Sequence, residues 1–181
     1  LGLLLSDIID SLLENVTVVA IMLVAGGVLM LFVDKWFNKN EGKKTEMTER
    51  RSVAIGFYQC ISMIPGVSRS MATIVGGMQQ GLSRKDAAEF SFFLAVPTMF
   101  AASVYKLWGL LTDPASSQLL ADNLTVLVVG MVVAFIVAIL AIKFFISYLT
   151  RYGFKLFGYY RIIVGGAIII MLLCGMSLEM A

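Results

Sequence analysis

The sequence contains no histidine and only two cysteines among its 181 residues, so the side chains that most often bind metal ions or act as general bases are scarce. Cys60 and Cys174 both lie in apolar segments, where we expect two buried small residues and neither a disulfide nor a metal site. Charged residues make up only 14% of the chain and the formal net charge is +2, which excludes the strongly basic surface that nucleic-acid binding requires. The chain opens on Leu1 without a signal-peptide pattern.

Apolar residues dominate instead. They make up 59% of the sequence, and the mean hydropathy of +0.90 is typical of an integral membrane protein. Several apolar runs are long enough to cross a ~30 Å hydrocarbon core at about 1.5 Å per residue. We therefore predict an all-α integral membrane protein built as a transmembrane helix bundle. The predicted transmembrane helices are 16–37, 84–111, 123–150 and 159–179.

The segments between these helices predict a topology. Residues 1–14 have a helical apolar period and are predicted to form an amphipathic helix at the membrane edge. The loop 38–50, the pair 84–85 and the linker 151–161 are basic, which places them on the cytoplasmic side. Residues 112–122 contain no lysine or arginine and are predicted to be an external loop.

The segment 51–82 decides the architecture. Its two apolar stretches, 51–63 and 71–80, would form helices of roughly 20 Å and 15 Å, both too short for a ~30 Å core. A Pro65-Gly66 break separates them. We predict a re-entrant helix hairpin that enters and leaves by the same face, because irregular backbone at membrane depth survives only where protein or a wet cavity satisfies it. The charged loops agree on one topology only if this segment does not cross.

An arginine and three hydroxyl groups lie directly after this break. Arg69 is an ionisable group at predicted membrane depth, where such groups usually mark a site, and its guanidinium matches phosphate oxygens in pairs. The start of the following helix directs free N–H groups and positive partial charge to the same place. The sequence therefore favours an anion site. The other candidate residues are Gly66, Ser68, Ser70, Thr73 and Gln59.

Each assignment has a structural alternative. The break could be a packing turn whose Arg69 side chain reaches the lipid headgroups. Ser70 could serve only as the N-cap of its helix, and Gln59 is equally well explained as a satisfied buried amide. A membrane transporter or flippase of a lipid phosphate or small anion would use the same half-helix site. A purely structural subunit is disfavoured by the arginine.

The order of these residues resembles a known signature. Pro65-Gly66-Val67-Ser68-Arg69-Ser70 with Thr73 is similar to the proline-glycine-x-serine-arginine-serine signature of the bacterial undecaprenyl pyrophosphate phosphatase family, often called the bacitracin-resistance protein family. The similarity covers about residues 51–110. It continues on both sides of the signature through residues 56–60, 76–78, 81–84 and 88–97.

This resemblance implies an enzyme that removes the terminal phosphate from C55 isoprenyl pyrophosphate and so supplies the monophosphate carrier lipid for peptidoglycan synthesis. It implies two inverted repeats in the bacterial cytoplasmic membrane, each with a re-entrant hairpin, and a site open to the periplasm. It also implies a divalent cation, Mg²⁺ or Ca²⁺. The expected partners are the isoprenyl pyrophosphate lipid and membrane lipids, with a homodimer as a further option and no nucleic acid.

The resemblance also implies roles for single residues. Arg69 matches the essential arginine and would clamp the pyrophosphate, with Ser68 as the second candidate catalytic residue. Ser68, Ser70 and Thr73 would hydrogen-bond the phosphate oxygens, and Gly66 would let the backbone approach them. The family's other signature, a glutamate-rich stretch leading through leucine-proline and two serines to a histidine, has no counterpart here, so no metal ligand is identified. We therefore expect the chain to be the second repeat with its flanks, half of the inverted-repeat architecture.

Overall fold

The computed structural model describes residues 12, 15–40, 42 and 45–175. These residues form α-helices and one short 3-10 turn, and four of the helices are long and apolar enough to cross a membrane. The prediction of an all-α integral membrane protein is therefore confirmed, whereas the amphipathic helix predicted for 1–14 lies outside the described residues apart from Leu12. The helices are α1 (Val16–Trp36), α2 (Glu49–Ile61), α3 (Arg69–Gln79), α4 (Arg84–Thr112), α5 (Pro114–Asp122), α6 (Leu124–Tyr152) and α7 (Lys155–Leu173). The four candidate membrane spans are α1, α4, α6 and α7.

The described chain divides into two compact units. The first contains the residues up to Ser91 together with those from Leu149 onwards, and it holds α1, α2, α3 and α7. The second is Phe92–Tyr148, which contains most of α4 and α6. The residues singled out by the sequence all lie in the first unit.

Helices α1 and α7 make the most extensive helix–helix contact among the described elements. Glycine allows it, because a Cβ atom on Gly27 would lie 2.8 Å from the carbonyl oxygen of Gly158, and one on Gly165 would lie 2.9 Å from that of Ala20. The backbones touch where side chains are missing, as is common between membrane helices. Cys174 directly follows α7 and is exposed, so the prediction of a buried residue there is wrong.

Helices α2 and α3 form the hairpin predicted for 51–82. They contain 13 and 11 residues, roughly 20 Å and 16 Å, so neither spans a ~30 Å core. The ring of Tyr58 packs on Gly76, where a Cβ atom would lie 2.6 Å from it, and its hydroxyl hydrogen-bonds the side chain of Gln79. After α3, Gly81 has a φ of 91° and ends the helix. Entry and exit through one membrane face stays a prediction.

In the second unit, the segment predicted as an external loop, 112–122, is mostly helical. Helix α5 begins after Asp113, whose carboxylate accepts hydrogen bonds from the Ser116 N–H at 3.0 Å and hydroxyl at 2.6 Å. Pro114 occupies its first position, where a missing N–H costs nothing. The Asp-Pro pair is therefore a helix start within the segment that was predicted to be a loop. The side chains along α4 and α6 in this unit are largely exposed, as expected of apolar helices that face lipid.

Candidate functional site

The turn between α2 and α3 is fixed against α1. Gly66 has a φ of 85°, a region that favours glycine. A Cβ atom at this position would lie 2.6 Å from the carbonyl oxygen of Val19 and 3.0 Å from the Cβ of Met22. Glycine is therefore required here by the close approach of α1, which is a different reason from the approach to a pyrophosphate that the resemblance implied.

A second arginine, which the sequence reading assigned to the basic linker 151–161, holds this turn. Arg161 lies inside α7 with 8% of its surface exposed, and its Nη2 donates to the carbonyl oxygen of Gly66 at 2.5 Å and to that of Met22 at 3.4 Å. Gly26 makes room for the guanidinium, because a Cβ atom there would lie 2.8 Å from Nη2. One buried side chain thus joins α7, α1 and the turn. The signal that pointed to Arg69, a charge within an apolar helix, applies equally to Arg161 once α7 is known to start at Lys155.

The N-terminus of α3 follows the turn directly. Ser68 is its N-cap, and the Ser68 hydroxyl oxygen accepts a hydrogen bond from the Met71 N–H at 3.3 Å. The N-cap is therefore Ser68, whereas the sequence reading had considered Ser70 for that role. The Ser68 hydroxyl still has its own proton to donate. Arg69 and Ser70 are the first two residues of α3, and all three side chains are half-buried.

This arrangement is chemically suited to an anion. The first N–H groups of a helix have no partner within the helix, and the helix dipole places positive partial charge beside them. Arg69 adds a full positive charge at the first helical position, and Ser68 and Ser70 add hydroxyl donors. The structure brings these three residues together in consecutive positions at the end of one helix.

Thr73 occupies a different environment. It is 1% exposed, and its hydroxyl lies 2.6 Å from that of Ser91, itself 2% exposed, on α4. The Thr73 hydroxyl also donates to the carbonyl oxygen of Arg69 at 2.9 Å. Because Thr73 lies one turn inside α3, its hydroxyl is used within the protein and not at the helix end. The structure thus places Thr73 as a support for the first turn of α3, while the phosphate contact that the resemblance implied stays a prediction.

Gln59 on α2 remains a candidate. Its side-chain oxygen Oε1 is buried and has no hydrogen-bond partner among the described residues. A satisfied buried amide, the alternative considered for this residue, is therefore not what the described residues provide. Ser62, one turn later, donates its hydroxyl proton to the backbone carbonyl oxygen of Gln59 at 2.6 Å. The Ser62 side chain is therefore engaged at the end of α2.

The described part of the chain does not offer a metal centre. It contains no group of three or more histidine, cysteine, aspartate or glutamate side chains that could hold a metal ion. Asp34 contacts Arg84 at 3.4 Å and accepts a hydrogen bond from the Phe154 N–H at 2.9 Å, while Glu89 pairs with Lys85 at 3.8 Å. The described residues therefore do not fit the divalent cation that the resemblance implies.

Comparison with known proteins identifies the family of the chain. The chain is 55% identical to the undecaprenyl-diphosphatase of Porphyromonas gingivalis over 98% of its own length and 63% of that protein. It is 58% identical to the undecaprenyl-diphosphatase of Flavobacterium johnsoniae over 91% of this chain and 62% of the relative, and 48% identical to that of Bdellovibrio bacteriovorus over 99% and 68%. The chain thus spans about three fifths of the length of the first two relatives. The family model described as bacitracin resistance protein BacA matches residues 1–167. The chain therefore belongs to the bacitracin resistance protein BacA family.

Proposed function

We propose that the protein hydrolyses undecaprenyl pyrophosphate to undecaprenyl monophosphate and inorganic phosphate. The observation that carries the proposal is the position of Arg69, which is the first residue of the short helix α3, whose preceding turn is fixed by Arg161. The names of the relatives support it, because all three compared here are undecaprenyl-diphosphatases.

The described residues account for binding and charge stabilisation. In the reaction, the phosphoanhydride bond to the terminal phosphorus breaks, a water molecule supplies the new oxygen, and the lipid monophosphate leaves. Charge on the phosphoryl oxygens is stabilised by donors that are already in place, which is the largest contribution an enzyme makes to phosphoryl transfer. Arg69 provides a bidentate pair of donors, and Ser68 and Ser70 provide hydroxyl donors at the same helix end. We assign the nucleophile to none of the described residues.

The proposal extends to the surroundings of the reaction. The protein would lie in the bacterial cytoplasmic membrane with the site facing the periplasm, and would act there on a lipid carrier used in cell-wall synthesis. The excess of lysine and arginine in 38–50 and 151–161 supports this orientation. A homodimer and a requirement for Mg²⁺ or Ca²⁺ belong to the same proposal. None of the described residues is assigned to the cation, because they do not form a set of ligands for it.

Phosphate release from a long-chain isoprenyl pyrophosphate tests the proposal. The complete gene product would be purified in detergent and assayed with Mg²⁺, with Ca²⁺ and with a chelator. We expect Arg69→Lys to lower the rate by about 100-fold or more, because an ammonium cannot replace a bidentate guanidinium at a site of developing charge. The matched control is Arg50→Lys, at an exposed position on α2.

Two outcomes would contradict the proposal. Full activity of Arg69→Lys, with Arg50→Lys also active, would remove Arg69 from the reaction. A folded protein that binds the lipid pyrophosphate but releases no phosphate under any metal condition would favour the transporter or flippase instead.

A further inference from the structure

A second basic site lies at the opposite end of α1. A cavity of about 460 Å³ is formed by three separate stretches of the first unit, which are the end of α1, the start of α4 and the junction of α6 with α7. Its position is set by α1, on which Asp34 lies 15 residues beyond Val19, the residue that touches Gly66, or roughly 22 Å along the helix. It is therefore separate from the site at Arg69.

The lining of this cavity carries a strong excess of positive charge. Among the described residues, Lys35, Arg84, Arg151 and Lys155 lie on it, against the single carboxylate of Asp34. That carboxylate is already engaged, because it contacts Arg84 and accepts the Phe154 N–H. The other three cations, Lys35, Arg151 and Lys155, line the cavity without a carboxylate of their own among the described lining residues. A concave surface lined by one sign of charge concentrates the field and attracts an anion.

The surroundings of the cavity indicate what kind of anion it takes. The exposed side chains of Trp36, Tyr152 and Leu156 lie at the ends of α1, α6 and α7 that border it. Exposed aromatic residues at the ends of membrane helices mark the headgroup level of a bilayer. The occupant therefore has a phosphate for the cations and acyl chains for the apolar rim.

We propose that this basic cavity binds the phosphate group of an anionic phospholipid, such as phosphatidylglycerol, on the face predicted to be cytoplasmic. Basic pockets between membrane helices on this side are suited to such headgroups. Scattered basic residues would suffice for orientation in the membrane. A bound lipid phosphate explains why basic residues from three distant segments of the chain line the same cavity. The proposal does not depend on phosphatase activity.

Lipid titration followed by native mass spectrometry tests the proposal. The complete gene product in detergent would be titrated with phosphatidylglycerol and, separately, with the zwitterionic phosphatidylcholine. We expect Arg151→Gln with Lys155→Gln to weaken phosphatidylglycerol binding by about 30-fold and to leave phosphatidylcholine binding unchanged. The matched control, Arg50→Gln with Lys85→Gln, removes the same charge from the same predicted face but outside the cavity lining, and should change little.

Further arms keep the outcome interpretable. Arg151→Lys with Lys155→Arg keeps the charge and should retain binding, and Lys35→Gln, an exposed single change, should cost about fivefold if the double variant fails to fold. Equal losses in the cavity and control variants would show general surface charge and overturn the proposal, as would no loss at all. Inorganic phosphate in excess is expected not to displace the lipid. Displacement would overturn the assignment to a lipid and leave a free-phosphate site.

Discussion

Replacing Gly26 by alanine tests whether Arg161 holds the turn before the signature. The new Cβ atom would lie 2.8 Å from Nη2 of Arg161 and 3.3 Å from its Cζ, closer than side-chain atoms ordinarily approach. The guanidinium must then move away from α1. Its hydrogen bond from Nη2 to the carbonyl oxygen of Gly66, now 2.5 Å long, would lengthen or break. Gly66 cannot follow it freely, because its other side already touches Val19.

The expected magnitude follows from two opposing terms. Alanine in place of glycine favours a helix by about 1 kcal/mol. A hydrogen bond from a charged donor contributes about 1.5–3 kcal/mol, so its loss exceeds the gain by about 0.5–2 kcal/mol. For a chain of about 150–250 residues each kcal/mol lowers the melting temperature by about 2–4 °C, which predicts a decrease of about 1–8 °C. Activity should fall further, because a misplacement of about 1 Å at a catalytic group costs as much as 100-fold.

The assay is thermal unfolding in detergent together with phosphate release. Gly166→Ala in α7 is the matched control, since a Cβ atom there meets nothing within 4 Å. It should be as stable as the parent protein or slightly more stable, and equally active. If Gly26→Ala behaved like Gly166→Ala in both measurements, the contact between Arg161 and the Gly66 carbonyl would not position the turn.

Two further predictions concern the same hairpin. Gly66→Ala should lower the melting temperature, because a left-handed φ costs a non-glycine residue about 1–2 kcal/mol and the new Cβ would collide with α1. The control Gly56→Ala should not lower it, because a Cβ there meets nothing within 4 Å. Equal melting temperatures of the two variants would contradict the geometry of the turn. Thr73→Val and Ser91→Ala, combined in a double-mutant cycle of unfolding free energies, should show a coupling of about 0.5–3 kcal/mol, and additive effects would show that the two hydroxyls do not interact.

The sequence predicted the parts of the structure that depend on local pattern. The membrane helices follow from long apolar runs, and the hairpin follows from two short runs around the Pro65-Gly66 break. Local capping also delimits α3 and α4. Gly81, with a φ of 91°, follows the end of α3, and α4 begins after Ser83, whose Oγ accepts the Asp86 N–H at 3.2 Å. Lys85 and Glu89 pair one turn apart on α4.

The parts that the sequence did not predict depend on contacts between distant residues. Arg161 and Gly66 are 95 residues apart, and nothing in the pattern of either segment indicates that one donates to the other. The pairing of Thr73 with Ser91 likewise requires knowing which face of α3 meets α4. A hydroxyl residue in a signature can face a ligand or a neighbouring helix, and the sequence does not distinguish the two. The contact of Thr73 with Ser91 is therefore visible only in the structure.

The contact between α1 and α7 also has a consequence for folding during synthesis, because α7 is made long after α1. Phe154, whose N–H donates to the carboxylate of Asp34, lies 120 residues later in the chain. At about 5–20 residues per second, a ribosome needs roughly 6–24 s to make that stretch. Throughout this interval α1 is in the membrane without the helix that fits its glycines, and the Gly66 carbonyl has no arginine to accept from. The turn that presents Arg69 is therefore finished only when the last described helix enters the bilayer. A chain whose translation stops before α7 would lack Arg161, and the turn before Arg69 would lose the hydrogen bond that holds it.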